Sequence, residues 1–269
     1  MKVSGSIVLY NSSFNDIKKL ITTIEKSIIS KLFVIDNSKL DKISKLINST
    51  KIVYVHNSFN LGYGAAHNIA ISKSIEENFD FHFIINPDIT LSENVFKKMF
   101  NYMRSNDTIG MIMPKVLNPD KSIQYLPKLL PSLFSIIMRK IKWPKFLYSN
   151  FIDKYELRSI NTNISYVTPM ISGCFNLIRL DAIKRVGMFD ERFFMYLEDW
   201  DLSRRIHKYY KNIYYSDVSV IHGYNSEANR SIKLFFSFLF SIIKYFNKWG
   251  WFFDYKRKKI NYNVLNQFN

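Results

Sequence analysis

Three short segments combine residue types that could do chemistry. Phe83-Ile84-Ile85-Asn86-Pro87-Asp88 is an apolar run that stops at a proline and delivers a carboxylate. A carboxylate with an Asn carbonyl beside it can hold a hard divalent cation against a diphosphate, because magnesium takes one or two protein carboxylates and completes its shell with phosphate oxygens. The same Pro-Asp pattern also serves as a turn or as the cap of a following helix. Tyr196-Leu197-Glu198-Asp199-Trp200-Asp201 places three acids within four positions, ahead of Arg204 and Arg205. On a helix starting there, Glu198 and Asp201 share a side, and the arginines pair with them at i, i+3 and i+4 spacing. Asp199 is then the acid without a cation, which suits a general base. The plain alternative is acidic charge at the positive end of a helix dipole. Asn60-Leu61-Gly62-Tyr63-Gly64-Ala65-Ala66-His67-Asn68 is a glycine-containing loop entering a helix. Its small residues permit close backbone approach to a ligand, and the helix terminus could face a phosphate. It lacks the glycine spacing of the dinucleotide fingerprint and the Lys of the Walker loop, and an ordinary loop-to-helix corner has the same composition.

These segments need elements to position them. Residues 6–9, 32–35, 52–55 and 81–85 are β-branched, apolar runs with no polar face, which reads as buried strands. Between them, residues 15–29, 39–47 and 64–78 read as helices, with Ile17, Leu20, Ile21 and Ile24 at helical spacing on the first. Strand–helix alternation implies right-handed crossovers and a mostly parallel sheet with helices on both faces, an α/β class. Ligands in such sheets sit at the carboxyl ends of the strands. Residues just after strands therefore take priority: Tyr10-Asn11, Asp36-Asn37, His56-Asn57 and Asn86-Pro87-Asp88. Further on, residues 126–165 carry Pro127, Pro131 and Pro144 and read as an irregular or helical insertion. Residues 167–178 are strand-like around Ser172-Gly173-Cys174, 180–186 form a short helix ended by Gly187, 198–210 form a helix, and 213–216 and 218–221 are strands before His222.

Composition sets the class. The chain has 269 residues, 47% of them hydrophobic, with only 8 Gly and 7 Pro, which excludes disordered and collagen-like chains. A single Cys excludes a disulfide scaffold and Cys-based metal cages, and it suits a reducing compartment. The amino terminus shows no long apolar segment with a cleavage site, which points to a cytoplasmic protein. The net charge is +16, divided as +4 up to Tyr125 and +12 beyond it. Two stretches supply much of the excess: residues 128–145, with Arg139, Lys140, Lys142 and Lys145, and residues 230–259, ending in Lys256-Arg257-Lys258-Lys259. Both interleave the charge with Phe, Leu, Ile and Trp, the pattern of a segment lying in an anionic membrane interface; a solvated basic face over a core helix has a similar composition. The apolar stretch at 234–243 is too short to span a bilayer. Basic charge also suggests nucleic acid, but no helix-turn-helix, zinc-finger or RNP-type signature accompanies it, so no nucleic-acid partner is expected.

The order of these segments matters more than any one of them. Strand-YN, VIDNS, NLGYGAAHN, NPD, SGCFNLIR, GMFDERFFMYLEDWDLSRR and IHGYNSEANRS resembles family 2 glycosyltransferases of the GT-A fold, especially the bacterial rhamnosyltransferase-like branch that builds O-antigen and related surface polysaccharides. The resemblance runs from about residue 6 to residue 230, and FDERFFMYLEDWDLSRR is its most specific part.

The resemblance implies a catalytic domain over residues 1–228, divided into a nucleotide-sugar half (1–125), the basic insertion (126–165) and an acceptor half (166–228), followed by a basic amphipathic helical segment (229–269) resting on the membrane. It implies that Tyr10, Asn11 and Asp36 line the nucleotide pocket, with Asn60, Gly62, Gly64 and Asn68 as a loop beside nucleotide and sugar. Asp88 takes the metal-ligand place of a motif usually written Asp-x-Asp, in which Asn86 here replaces the first Asp; His222 matches a late histidine that completes the metal site in some relatives. The cofactor implied is Mg2+ or Mn2+. Gly173, Cys174 and Trp200 fall where donor and acceptor sugars meet, with Cys174 structural. Asp199 takes the place of the base, with Glu198 beside it and Arg204 or Arg205 aiding the leaving diphosphate. The implied activity is inverting transfer from a nucleoside-diphosphate sugar, dTDP-L-rhamnose first, to a polyprenyl-diphosphate-linked glycan at the inner face of the cytoplasmic membrane. Another donor, a UDP-hexose or a galactofuranose donor, and a catalytically silent scaffold are the competing expectations.

Overall fold

The structure is a computed structural model that describes residues 1–223 and 232–268. The first half follows the expected alternation: β1 (Val3–Leu9), α1 (Phe14–Glu25), β2 (Lys31–Asp36), β3 (Ile52–His56), α2 (Tyr63–Glu76) and β4 (Phe81–Ile85). β1 pairs in parallel with β2 and β4, and β2 with β3. α1 forms because Ile17, Leu20, Ile21 and Ile24 make one buried stripe and Ser13 with Asp16 closes its first turn as a capping box. The helix expected over 39–47 is absent apart from one turn of 3-10 helix at Ser44–Leu46. Asp41 is the reason: its Oδ1 accepts from the backbone N–H groups of Ile43 (3.1 Å) and Ser44 (3.0 Å), offering the chain a local turn in place of a helical ladder.

The second half is mixed. β5 (Ile89–Thr90), α3 (Glu93–Arg104), β6 (Ile109–Leu117), α4 (Leu133–Ile141), α5 (Lys145–Tyr155), β7 (Tyr166–Val167), β8 (Phe175–Arg179), α6 (Leu180–Val186), α7 (Glu198–His207), β9 (Lys211–His222), α8 (Ile232–Trp249) and α9 (Tyr255–Leu265) follow in order. β8 runs antiparallel between β4 and β6, β9 is parallel to β6, and the sheet order is β3-β2-β1-β4-β8-β6-β9-β5, with β7 on β9. The two terminal strands expected before His222 are one long strand, broken by a register shift at Pro114/Lys115 of its partner β6. The fold class stands as an α/β sheet, parallel across β3-β2-β1-β4 and mixed beyond it.

The carboxy-terminal helices belong to the same body. Val264 joins the main core, and Leu265 and Phe268 pack on it. α8 docks through Ile242, Tyr245 and Phe246 onto Ile136 of α4 and Phe193 and Leu197 beside α7. The boundary expected at 228/229, and most of IHGYNSEANRS, lie outside the described residues. Two members of the basic stretches are not surface charges. Lys128 is 7% exposed and reaches Glu156 at 3.0 Å, and burial lowers its ammonium to about 8. Arg257 is also 7% exposed and donates to the Pro131 carbonyl. A charge inside the protein has to be paired, so these residues hold the insertion and α9 in place and do not face a partner.

Candidate functional site

At one side of the site, β4 ends at Ile85 and hands the chain to Asn86-Pro87-Asp88. The short β5 then pairs antiparallel with the end of β9, Ile89 opposite His222, and the Gly223 N–H donates to the Asp88 carbonyl at 3.0 Å. That pairing sets His222 Nε2 3.4 Å from Asp88 Oδ1 and 3.4 Å from Asn86 Nδ2. Gln124 fixes the ring: its Nε2 donates to the His222 carbonyl at 3.0 Å, so its Oε1, 3.1 Å from His222 Nδ1, must accept. Nδ1 therefore carries a proton toward Gln124, and Nε2 is the ring atom turned toward Asp88 and Asn86. Gln124 carries no sequence signal and was not among the expected site residues.

Asp199 arrives from the other side, on the first turn of α7. Tyr196 and Leu197, just before it, both have φ near the left-handed region, 71° and 65°. Such backbone costs on the order of 1–3 kcal/mol per residue and persists only where the surroundings hold it. Here the preceding loop is held from three helices. Asn68 of α2 binds the Phe189 backbone on both sides, Oδ1 accepting and Nδ2 donating at 2.9 Å; Arg205 of α7 donates to the carbonyls of Val186, Gly187 and Met188; Ser241 of α8 donates to the Met195 carbonyl at 2.8 Å. The Asp199 carboxylate accepts from the Gly173 N–H and the Trp200 N–H, both at 2.9 Å, which leaves one lone pair on each oxygen for a substrate. Burial pushes its acid up to about 6, against the pull of those N–H donors. Glu198, 5% exposed, has one carboxyl oxygen without a hydrogen-bond partner, and burial followed by the Asp199 charge raises its acid well above the ordinary value. Of the two adjacent carboxyls, burial favours the neutral acid more strongly at Glu198, while the two N–H donors favour the anion at Asp199.

Tyr63 joins the two sides. Its hydroxyl lies 2.7 Å from the Gly173 carbonyl and 3.0 Å from Asn86 Oδ1, so one side chain spans from the NPD turn to the backbone that holds Asp199. Burial and then the charges of Glu198, Cys174, Asp199 and Asp88 raise its phenol. It lies between the two glycines of the expected loop, and its aromatic type was the signal that could have singled it out. Gly173 is tight by necessity: a Cβ there would lie 3.2 Å from the Tyr63 ring and 3.5 Å from Asp199 Cβ.

Several expected site residues are placed elsewhere. Asp36 is 1% exposed, with its oxygens accepting from the Ser38 N–H (2.8 Å) and the Tyr54 hydroxyl (2.7 Å), which hold it at the end of β2. Tyr10 is exposed and Asn11 is held through its N–H on Ser38 Oγ at 2.8 Å, leaving both side chains at the strand-end crevice. The glycine loop is closed by the chain itself. A Cβ on Gly62 would fall 2.2 Å from the Phe194 carbonyl oxygen, a Cβ on Gly64 would fall 2.9 Å from Phe189 Cβ, and the first helical N–H, that of Tyr63, already donates to Phe194. Asn60 caps the turn, accepting from the Gly62 N–H at 2.9 Å, and Asn68 is spent on Phe189. The small residues thus admit the loop that carries Asp199, not a phosphate. Gly62→Ala, at φ 89°, is expected to destabilise the fold by roughly 3 kcal/mol or more, read as a lower urea midpoint.

Arg205 is likewise corrected. Its Nε donates to Asp201 at 2.8 Å and its remaining nitrogens to three loop carbonyls, about 9 Å along α7 from Asp199 at 1.5 Å per residue, so it positions the loop and is spent for a leaving group. Arg204 pairs with Asp254 at 2.7 Å rather than with Glu198. Trp200 packs edge-on to Tyr245 of α8, at 6.3 Å between ring centroids. Cys174 is buried, burial pushing its thiol up to about 12, and its carbonyl accepts from the Asn86 N–H at 2.8 Å.

A divalent cation fits what is present. Asp88 Oδ1 and His222 Nε2 lie 3.4 Å apart, and no third His, Cys, Asp or Glu gathers with them among the described residues, so a cation held there would complete its shell with water and diphosphate oxygens.

Comparison with known proteins places the fold and the family. The structure is similar to GalNAc-T7 solved with UDP, GalNAc and Mn2+ (TM-score 0.66, 14% identity, 92% of this chain and 48% of that one) and to the Pyrobaculum calidifontis mannosyltransferase PcManGT solved with GDP-Man and Mn2+ (TM-score 0.56, 13% identity, 84% and 57%). In sequence it is 27% identical over 175 residues to the N-acetylglucosaminyl-diphospho-decaprenol L-rhamnosyltransferase of Mycobacterium tuberculosis (61% of this chain, 56% of that protein). It is 27% identical over 151 residues to the rhamnosyltransferase WbbL of Escherichia coli K12, at 54% of each. The chain spans little more than half the length of these two curated relatives. The pattern described as Glycosyl transferase family 2 matches residues 6–187, more than half of the chain, and the protein belongs to that family of glycosyltransferases.

Proposed function

We propose that the protein transfers L-rhamnose from dTDP-L-rhamnose to a polyprenyl-diphosphate-linked glycan, inverting the anomeric carbon, in the assembly of O-antigen or another surface polysaccharide. The two rhamnosyltransferases among its relatives, one of them named for a diphospho-decaprenol acceptor, support the donor and the acceptor class. Such an acceptor would put the reaction at the inner face of the cytoplasmic membrane. The observation that carries the reading is Asp199, an acid to which no cation is paired among the described residues, fixed by two backbone N–H groups and joined through Gly173 and Tyr63 to the Asp88–His222 end of the site.

In the proposed reaction an acceptor hydroxyl attacks the anomeric carbon. As the new C–O bond forms, the bond to the nucleoside diphosphate breaks, its electron pair leaves on the diphosphate, and the hydroxyl proton passes to Asp199. A single base on one side of one displacement gives inversion. Glu198 stays protonated beside it, so that the pair holds one charge and Asp199 remains the acceptor of the proton. Asp88 and His222 would hold the divalent cation, Mg2+ or Mn2+, which when bound supplies charge against the departing diphosphate. Tyr63 keeps the NPD turn in register with Gly173.

Thermal unfolding with a panel of nucleotide sugars tests this. A saturating donor stabilises the native state by about 2.7 kcal/mol at a hundred times its Kd, which amounts to a shift on the order of 5 °C for a chain of this size. dTDP-L-rhamnose with manganese is expected to give that shift, and Asp88→Ala to remove the manganese-dependent part. A shift with a UDP-hexose or a galactofuranose donor alone would replace the donor. A shift with no nucleotide sugar, and no transfer, would make the protein a silent scaffold.

A further inference from the structure

The two basic, apolar stretches, far apart in sequence, meet on the folded surface. Ile136 of α4 shares a buried cluster with Ile242, Tyr245 and Phe246 of α8, and Lys140 Nζ stands 5.2 Å and 5.9 Å from the ring centroids of Phe238 and Phe235. α8 is apolar on two sides. Its inner side is spent on that cluster. On its outer side Ile232, Phe235, Phe236, Leu239, Phe240 and Ile243 recur at i, i+3, i+4, i+7, i+8 and i+11, and every one is at least 36% exposed. At 1.5 Å per residue the stripe is about 17 Å long. α4 adds Phe134, Ile137 and Ile141, exposed at i, i+3 and i+7, and the start of α5 adds Phe146 and Leu147 beside Trp143, which is 71% exposed.

Surface of this kind on a water-soluble body marks a partner, and the charge around it says which. α4 and α8 contain no acid, α5 has none in its first turn, and Lys140, Lys142, Lys145 and Lys233 are all exposed. A second copy of this chain would bring the same positive charge against itself. An anionic bilayer interface takes a continuous Phe/Leu/Ile stripe into the headgroup–acyl boundary and the flanking lysines at the phosphate level. Among the described residues no helix is long and apolar enough to cross a membrane, so the stripe would lie along the interface. We infer that α4, the start of α5 and the outer side of α8 form one docking face for an anionic lipid surface. α9 is not counted in it: beyond the exposed Phe252, Phe253 and Tyr255 at its start, its outer side is lysine, asparagine and Tyr262 and no continuous apolar stripe, and its Arg257 is buried. The inference stands apart from the donor and acceptor readings, because it uses none of their residues.

The test is flotation of the full chain with vesicles of phosphatidylglycerol mixed with phosphatidylcholine, against phosphatidylcholine alone. The protein should float with the anionic vesicles only, with a blue shift of tryptophan emission that Trp143→Phe removes. Phe236→Ser with Phe240→Ser should abolish flotation. Lys142→Gln with Lys145→Gln should weaken partitioning about thirtyfold at low salt, at the usual contribution of a lysine near an anionic surface. Lys258→Gln with Lys259→Gln should change it little. The nucleotide-sugar melting shift should persist in the Phe236/Phe240 variant, which separates loss of docking from loss of fold or of donor binding. Absence of flotation, flotation unaffected by the Phe variants, or self-association in lipid-free solution that those variants abolish would overturn the inference, the last by giving the face to a second copy.

Discussion

Asp199→Asn is expected to lower kcat about 10³-fold, within the usual range for loss of a general base, while the affinity for the donor changes little. The asparagine cannot take the substrate proton. It also has only one oxygen for the N–H groups of Gly173 and Trp200, both 2.9 Å from the present carboxylate, so one of those bonds is lost at a cost of about 1 kcal/mol. Thermal unfolding should therefore show a folded, donor-binding protein that does not turn over. In the unaltered protein kcat/KM should climb with pH and level off above about 6, where burial places the Asp199 acid, because only the anion is a base. The residual rate of the variant should lack that limb. Stability should run the other way: with the native acid near 6 and the ordinary value 3.8, the folded state holds more proton between those pH values, and stability falls as pH rises through that window. Glu198→Gln replaces an already neutral carboxyl by a neutral amide and should keep most of the activity. A tenfold or greater loss in Glu198→Gln with the Asp199 limb unchanged would show that Glu198 acts as an anion. A flat pH profile would remove Asp199 from the chemistry.

Asp201→Ala should have the largest effect on stability. The Asp201 carboxylate is fully buried and accepts from Arg205 Nε, Lys248 Nζ and Trp249 Nε1, each at 2.8 Å. Its removal takes the anion away from two cations and an indole N–H, and breaking a buried ion pair from one side costs about 3–5 kcal/mol. For a chain of this size the melting temperature should fall on the order of 10 °C. Lys248 also pairs with Asp190 at 2.8 Å, so α8, α7 and the loop between α6 and α7 loosen together. Activity should fall with stability, in contrast to Asp199→Asn, where only activity falls. Adding Lys248→Met should recover part of the loss, since an apolar side chain no longer needs the anion. Equal stability of the single and double variants would show that Lys248 is not held by Asp201.

These two adjacent acids show what a sequence reading reaches. Periodicity placed Asp199 and Asp201 on different sides of a helix, and that separation holds because it depends only on helix geometry. The strand at Phe81–Ile85 and the helix Leu180–Val186 ending at Gly187 were legible for the same reason: their signals are local. The glycine loop left two readings open because small residues permit close approach without saying of what. The occupant, Phe189 and Phe194, lies in a segment distant in sequence and is brought there only by packing. Asp36 at a strand end looked available until Tyr54 and the Ser38 N–H filled it. Gln124 and Tyr63 act through contacts across the sheet, which no spacing rule reports.

The pairing of β5 with β9 has a further consequence for how the protein comes into being. Asn86 and His222, which that pairing brings together, are 136 residues apart. On the ribosome, the nucleotide-side strands can fold while the Asp88 end of the site still lacks its histidine, because contacts of such separation form late. Until β9 has emerged and paired with β5, the Asp88 end of the proposed donor site lacks its histidine, so the proposed activity is expected to begin only after that pairing has formed.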